Sequence, residues 1–391
     1  MTNFLVKLFV KEGDKISDPA VRTRYGILSG VVGIVLNLLL AAGKLFAGLA
    51  TASISITADA LNNLTDAASS VVTLAGFKLA GQKADDGHPF GHGRIEYLAG
   101  LLVSLIILLV GVELAKTSVG KIIHPEGVTF SVASVVILAV SICVKLWMWR
   151  FNRRLGRRIR SSAMMATTTD ALADVAATSA VLAGALVGHF AGVRIDGWVG
   201  VIVAIFILRA GFGAARDTLN PLLGSRPDPE LVKAIRETVM GHSMVMGMHD
   251  LIIHDYGPGR KLMSFHAEVS VTADIMEAHD AIDHIERELY EKFGIETSVH
   301  IDPIATDDES VLRVRRQVVE LVRAIEPDMS IHDFHMTKGD AQIDLIFDVL
   351  VPYQCPLTDE QVRQRVTRAV CALDPCYYVV LQVDRDCVEN H

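Results

Sequence analysis

The sequence predicts an α-helical membrane protein with six transmembrane helices, followed by an α+β portion in the cytoplasm. Three observations lead there. Apolar residues concentrate between Tyr25 and Phe212, in segments that reach the ~20 residues a helix needs to cross a bilayer core. From Asp228 onward, short helix-period and strand-period stretches alternate as in a water-soluble α+β protein. Basic residues gather at alternate ends of the apolar segments, which sets an orientation. The total apolar fraction of 51% would not separate a membrane protein from a soluble one; its distribution does.

Residues 1–24 form a cytoplasmic arm that opens with MTNFLVKLFVKEGDKISDP. The arm lacks the long apolar run and small-residue cleavage site of a signal peptide, so the first span is expected to direct insertion. A transmembrane domain over 25–216 holds spans at approximately 25–48, 53–80, 95–117, 128–150, 163–188 and 196–214. Lys7, Lys11, Lys15, Arg22 and Arg24 precede the first span, Lys78, Lys83 and Arg94 follow the second, and Arg150, Arg153, Arg154, Arg157, Arg158 and Arg160 follow the fourth. The opposite loops are poorer, 50–52 having none and 188–196 only Arg194; Lys116 and Lys121 are mild exceptions. Both termini are therefore expected in the cytoplasm.

The tail repeats one order twice. Residues 228–304 read as helix (ELVKAIRETVM), strand (HDLIIHDY), Gly-Pro-Gly turn, strand (LMSFHAEVSV), helix (EAHDAIDHIERELYEKF) and strand (TSVHID). Residues 310–388 read as VLRVRRQVVELVRAI, IHDFHMTK, AQIDLIFDVLV, TDEQVRQRVTRAVCAL and YYVVLQVD in the same order. Each is an αββαβ unit with its helices on one sheet face. No basic stripe marks the soluble part, so nucleic acid is not an expected partner. Of five cysteines, four (Cys355, Cys371, Cys376, Cys387) fall in the last stretch without a CxxC pair; reduced thiols in a cytosolic tail are expected, not a thiolate metal site.

Span 2 contains ADALNNLTDAASS and span 5 TTTDALADVAAT. Asn62 and Asp66 stand at i and i+4 and share a helix face about 6 Å apart along the axis; Asp170 and Asp174 repeat the spacing. A carboxylate inside a span costs at least about 2.5 kcal/mol on the insertion scale, so such residues are functional by default. Turned together, the two faces offer four oxygen ligands to a divalent cation. Asp59, three residues before Asn62, is a candidate supporting group or proton acceptor.

In these motifs the sequence resembles the cation diffusion facilitator family over roughly residues 20–304. Asn62/Asp66 and Asp170/Asp174 match the family's intramembrane pairs. The loop ADDGHPFGHGRIEYLAG resembles a second site, carried to Asp85, His88 and His92. A cytoplasmic cluster carries over to His249, His266, His279, His300 and Asp302. The resemblance implies a homodimer of six-helix bundles in a cell (plasma or inner) membrane, with ferredoxin-like cytoplasmic domains. It also implies export of a divalent metal in exchange for protons. Arg94 and Glu96 are then candidates for an ion pair to the partner protomer.

The family's zinc carriers usually include a histidine in the intramembrane quartet, whereas Asn62, Asp66, Asp170 and Asp174 are all oxygen donors. Oxygen ligands suit Mn²⁺ and imidazole favours Zn²⁺, so Mn²⁺ is the expected cargo, with Zn²⁺, Fe²⁺ or Cd²⁺ as the alternative. The imidazole-rich tail cluster is expected to hold a regulatory divalent metal. In the second unit His332 aligns with His249 and Asp384 with Asp302, but Ile346 stands at His266 and Gln382 at His300. Half a cluster is not expected to hold a metal, and the unit is expected to extend a dimer contact or bind a partner. An intramembrane aspartyl protease would need a glycine-containing loop at one aspartate, which TTTDALAD lacks; a membrane metal sensor would leave the buried pairs unused.

Overall fold

The computed structural model describes residues 2–10, 19–50, 54–124, 132–191, 196–305, 308–338, 342–352 and 354–386. Cys387, Lys11, Lys15 and Arg194 lie outside these, as does the side chain of Asp59. After a short helix α1 (Thr2–Phe9) come six long ones: α2 (Pro19–Ala50), α3 (Ile54–Ala80), α4 (Ile95–Ile123), α5 (Val132–Arg158), α6 (Ser162–Ala191) and α7 (Asp196–Leu223). Next in the chain are α8 (Pro229–Met240), β1 (Gly247–Asp255), β2 (Lys261–Ser270), α9 (Ile275–Phe293) and β3 (Glu296–Ile304). The same order returns in α10 (Glu309–Ile325), β4 (Ser330–Lys338), β5 (Ile343–Pro352), α11 (Asp359–Cys371) and β6 (Tyr377–Asp386). Two compact units result, one of Met1–Ser225 with Asp255–Arg260, the other of Arg226–His254 with Lys261–His391.

Among the described residues, four helical stretches are long and apolar enough to cross a membrane: Ala20–Phe46, Ile95–Ile123, Ser134–Arg158 and Gly197–Leu223. The other two long helices, α3 and α6, are of similar length and are set apart by clusters of polar residues among their described positions. They carry the Asn62-Asn63, Asp66, Ser69-Ser70 and Thr167–Asp170, Asp174 polar positions. The bundle turns large apolar side chains outward, among them Leu39, Leu109, Ile202, Phe206 and Phe212. It buries small and polar ones between helices, the pattern of helix association in lipid. Gly26, Gly30 and Gly33 line one face of α2. A β-carbon at Gly30 would come within 2.7 Å of the Leu74 β-carbon, so α3 sits closer than any side chain there would permit. Thr73 and Thr167 join α3 to α6 through a 3.0 Å hydroxyl hydrogen bond.

The arginine-rich stretch expected as the loop after span 4 is instead the end of α5, which runs unbroken to Arg158. Nothing between Trp149 and Leu155 stops a helix, and the long arginine stems lie along it, Arg153 over the Trp149 ring at 5.1 Å. The helix gives way to a turn at Arg160, whose φ of 47° is left-handed.

In the tail, each unit is one three-stranded sheet, ordered β1-β2-β3 and β4-β5-β6, with its last two strands parallel. Helix starts are written into the sequence. Asp228, Asp274 and Asp308 cap the first turns of α8, α9 and α10, and Thr358 and Gln361 form a reciprocal box on α11. Gly294 ends α9 at a left-handed φ of 66°. The apolar faces pack into two cores, one around Phe265, Ile285 and Leu289, the other around Phe347, Val318 and Val366.

Candidate metal centres

Three side chains from two helices gather inside the bundle. The carboxylates of Asp66 on α3 and of Asp170 and Asp174 on α6 each present an oxygen within 4.8 Å of the others. The i,i+4 spacing on α6 puts both of its aspartates on the face toward α3, and Ala166 and Ala173 on that helix are small enough to be buried beside them. Asn62, one turn before Asp66, has an exposed side chain. Its neighbour Asn63 is buried and accepts a 2.6 Å hydrogen bond from the Lys44 ammonium.

Sequence reasoning misses the residue that completes this cluster. Lys145 on α5 is buried, and its Nζ lies 2.7 Å from Asp66 Oδ2 and 2.5 Å from Asp174 Oδ2. With all four groups charged, three carboxylates face one ammonium, and the two negative charges left over are what one divalent cation neutralises. The visible signal was a lone lysine in an apolar run, SICVKLWMW.

The loop after α3 forms a second cluster. Asp85 lies 3.3 Å from His88 Nδ1 and 3.4 Å from His92 Nε2. The His88 backbone N–H, then its ring, hold the Asp85 carboxyl below the usual carboxylate range. His92 is the enclosed member, and its Nδ1 is buried without a hydrogen-bond partner.

Beside this loop, Glu96 at the start of α4 is 2% exposed and takes two hydrogen bonds from Arg22, at 2.8 and 3.2 Å, plus one from the Ser161 hydroxyl at 2.5 Å. The expected ion pair to a partner protomer is thus made within the chain. Arg94 instead donates to the Asp255 carbonyl at 2.8 Å and stacks over Tyr256. Breaking a buried bidentate pair strands the remaining charge. Glu96→Ala is therefore expected to lower stability by about 3–5 kcal/mol, read as a drop in the melting temperature of the purified protein. An unchanged melting temperature would contradict the pairing.

In the first tail unit the three strands bring His249, His266 and Asp302 together, with ligand atoms within 4.8 Å. Asp302 Oδ2 is 3.1 Å from His249 Nε2 and 2.9 Å from His266 Nδ1, while its Oδ1 is 3.2 Å from His300 Nε2. The parallel register that sets His266 beside His300 and Glu268 beside Asp302 makes this possible. His279 stands apart, exposed on α9.

The second unit holds more than half a cluster. On β5 the partner of Gln382 is Asp348, as His266 is the partner of His300, so the position equivalent to His266 is filled by a carboxylate and not by Ile346. His332, Asp348 and Asp384 converge, and His249, Asp250 and His332 form a further group. Contact with the imidazoles of His249, then His332, holds Asp250 far below the usual carboxylate range. Burial disfavours the charged form of His332. Asp250, then Asp348 and Asp384, outweigh that and raise its proton affinity above the usual imidazole value.

Residues 30–223 match the profile of the cation efflux transmembrane domain, and residues 227–304 that of the cation efflux protein cytoplasmic domain. Among curated proteins, the chain is 29% identical over 273 residues to an uncharacterized transporter of Methanocaldococcus jannaschii, covering 70% of this chain and 96% of that one. It is 28% identical over 280 residues to the manganese efflux system protein MneS of Bacillus subtilis, covering 71% and 96%. It is 30% identical over 265 residues to the cation-efflux pump FieF of Cronobacter sakazakii, covering 66% and 87%. Both profiles end by residue 304, before the second αββαβ unit.

Proposed function

The chain belongs to the cation diffusion facilitator family of cation efflux transporters, and from that membership we propose that it is a homodimeric Mn²⁺/H⁺ antiporter with six spans and cytoplasmic termini in the cell membrane. The observation that carries the cargo and its pathway is the convergence of Asp66, Asp170 and Asp174 from two helices on one point within the bundle. The donors are oxygens, which suit Mn²⁺ better than Zn²⁺. Similarity to a manganese efflux protein agrees with that choice, while similarity to FieF supports efflux in general.

In this reading α3 and α6 also cross the membrane, their polar faces turned to the bundle interior where a transported ion can reach them. Asn62 supplies a fourth oxygen when the helices rock to bind the ion. The metal displaces Lys145 from Asp66 and Asp174, and carboxylates relieved of metal on the far side take protons in its place. Alternating access is a shift between states that both ligands bias. The Asp85-His88-His92 loop serves as a low-affinity relay, and the tail site of His249, His266, His300 and Asp302 holds a regulatory metal. The dimer follows from the matched cytoplasmic domain.

Flux into reconstituted vesicles, measured side by side for Mn²⁺, Zn²⁺, Fe²⁺ and Cd²⁺, is expected to be fastest for Mn²⁺. Asn62→His is expected to shift the preference toward Zn²⁺ by adding an imidazole. Faster Zn²⁺ than Mn²⁺ flux by the unaltered protein would reject the metal assignment.

A further inference from the structure

The tail of this chain carries a second αββαβ unit whose residues face the first across a cleft of ≈ 740 Å³. Into that cleft point His249 and His266 from one unit and His332 and Asp384 from the other. His332 is 5% exposed, and its Nε2 is buried without a hydrogen-bond partner. Three carboxylate oxygens nevertheless surround that nitrogen: Asp250 Oδ1 at 3.5 Å, Asp384 Oδ2 at 3.7 Å and Asp348 Oδ2 at 4.0 Å. Donor atoms arranged about one ion with bonds near 2.1 Å stand roughly 3–3.5 Å apart. The spacing around His332 approaches that of a coordination sphere, and its missing hydrogen bond is what such a sphere leaves.

The backbone supports the same reading. His249-Asp250 and His332-Asp333 occupy equivalent places in the two units, and both aspartates have left-handed backbones, with φ of 52° and 54°. Aspartate tolerates that region, but two equivalent uses of it call for a reason. Neighbouring residues of a strand normally point to opposite faces. The left-handed turn at Asp250 instead lets His249 and Asp250 offer ligand atoms to one group with His332. A register shift between His332 and His335 on β4 marks the matching irregularity in the second unit.

We propose that His332, Asp348 and Asp384, completed by Asp250 from the first unit, form an additional divalent-cation site that clamps the two αββαβ units of one chain together. One imidazole and three carboxylates make an oxygen-rich set, suited to Mn²⁺. The site sits beside the His249-His266-Asp302 group and shares the cleft with it, so the tail holds one ion more than the first unit alone can bind. The inference rests on the tail alone and stands whichever ion the membrane domain transports.

The test counts Mn²⁺ bound per full-length chain in detergent, with Asp66→Asn and Asp174→Asn present throughout to remove the intramembrane ligands. Adding Asp348→Asn and Asp384→Asn is expected to lower the count by one and to abolish part of the Mn²⁺-induced rise in melting temperature. The metal-free melting temperature should stay level or rise, because two mutually repelling carboxylates are gone. His332→Gln, which removes the imidazole and keeps a polar side chain of similar reach, is expected to give the same loss. Equal counts and equal Mn²⁺-induced rises with and without these substitutions would overturn the site. So would loss of every tail ion on altering His266 and Asp302 with none lost on altering Asp348 and Asp384.

Discussion

Asp174→Ala is expected to abolish metal flux, lowering it by roughly a hundredfold or more in reconstituted vesicles. Removing a group that merely orients a metal ligand already costs about 10–100-fold in affinity. Asp174 is expected to be a ligand itself, one of three carboxylates at the convergence of α3 and α6. Its loss also changes the local charge. Lys145 would keep only its contact to Asp66, and the cluster could no longer match the charge of a divalent ion. Asp174→Asn separates shape from charge, since the amide keeps the volume and one oxygen. If charge is what matters, Asn fails nearly as badly as Ala. The remaining flux should also lose its response to an imposed pH gradient, because the proposed exchange needs carboxylates that can hold protons when the metal leaves. Retained Mn²⁺ flux in Asp174→Ala would remove the intramembrane cluster from the transport path.

Much of this arrangement was legible in the sequence, and the illegible parts share a cause. Four of the six long helices follow from apolar runs of sufficient length among the described residues, and the aspartate pair on α6 from i,i+4 spacing, since both signals lie within one element. Lys145 is on a third helix, and no spacing along a chain says that an ammonium on α5 meets carboxylates on α3 and α6. Asp348 was missed for a subtler reason. Shifting a strand by two residues leaves every side chain on the same face, so alternation alone cannot choose between Ile346 and Asp348 as the partner of β6. Only the hydrogen-bonded register, with Asp348 against Gln382, makes that choice. The second unit therefore looked like half a site until its strands were paired. Glu96 was misassigned because its mate, Arg22, is 74 residues away on the first long helix.

Lys145→Gln separates two roles for the buried ammonium, and the two predict opposite results for metal binding. If Lys145 only holds the helices together, removing it loosens the cluster, and Mn²⁺ binds more weakly as the fold weakens. If Lys145 is instead the resident cation that Mn²⁺ must displace, its removal strands the carboxylates of Asp66 and Asp174 without their partner. A buried pair broken on one side costs about 3–5 kcal/mol, so the metal-free protein should melt at a lower temperature. Mn²⁺ would then meet no competitor for the same oxygens and bind more tightly. The stabilisation it confers grows with the ratio of free ion to dissociation constant, so the Mn²⁺-induced rise in melting temperature should exceed that of the unaltered protein. Flux should nevertheless fall, because an ion held more firmly, with no lysine to replace it, leaves more slowly. A lower metal-free melting temperature, a larger Mn²⁺-induced rise and slower turnover together identify a displaced counter-ion. A smaller rise would return Lys145 to a purely structural part.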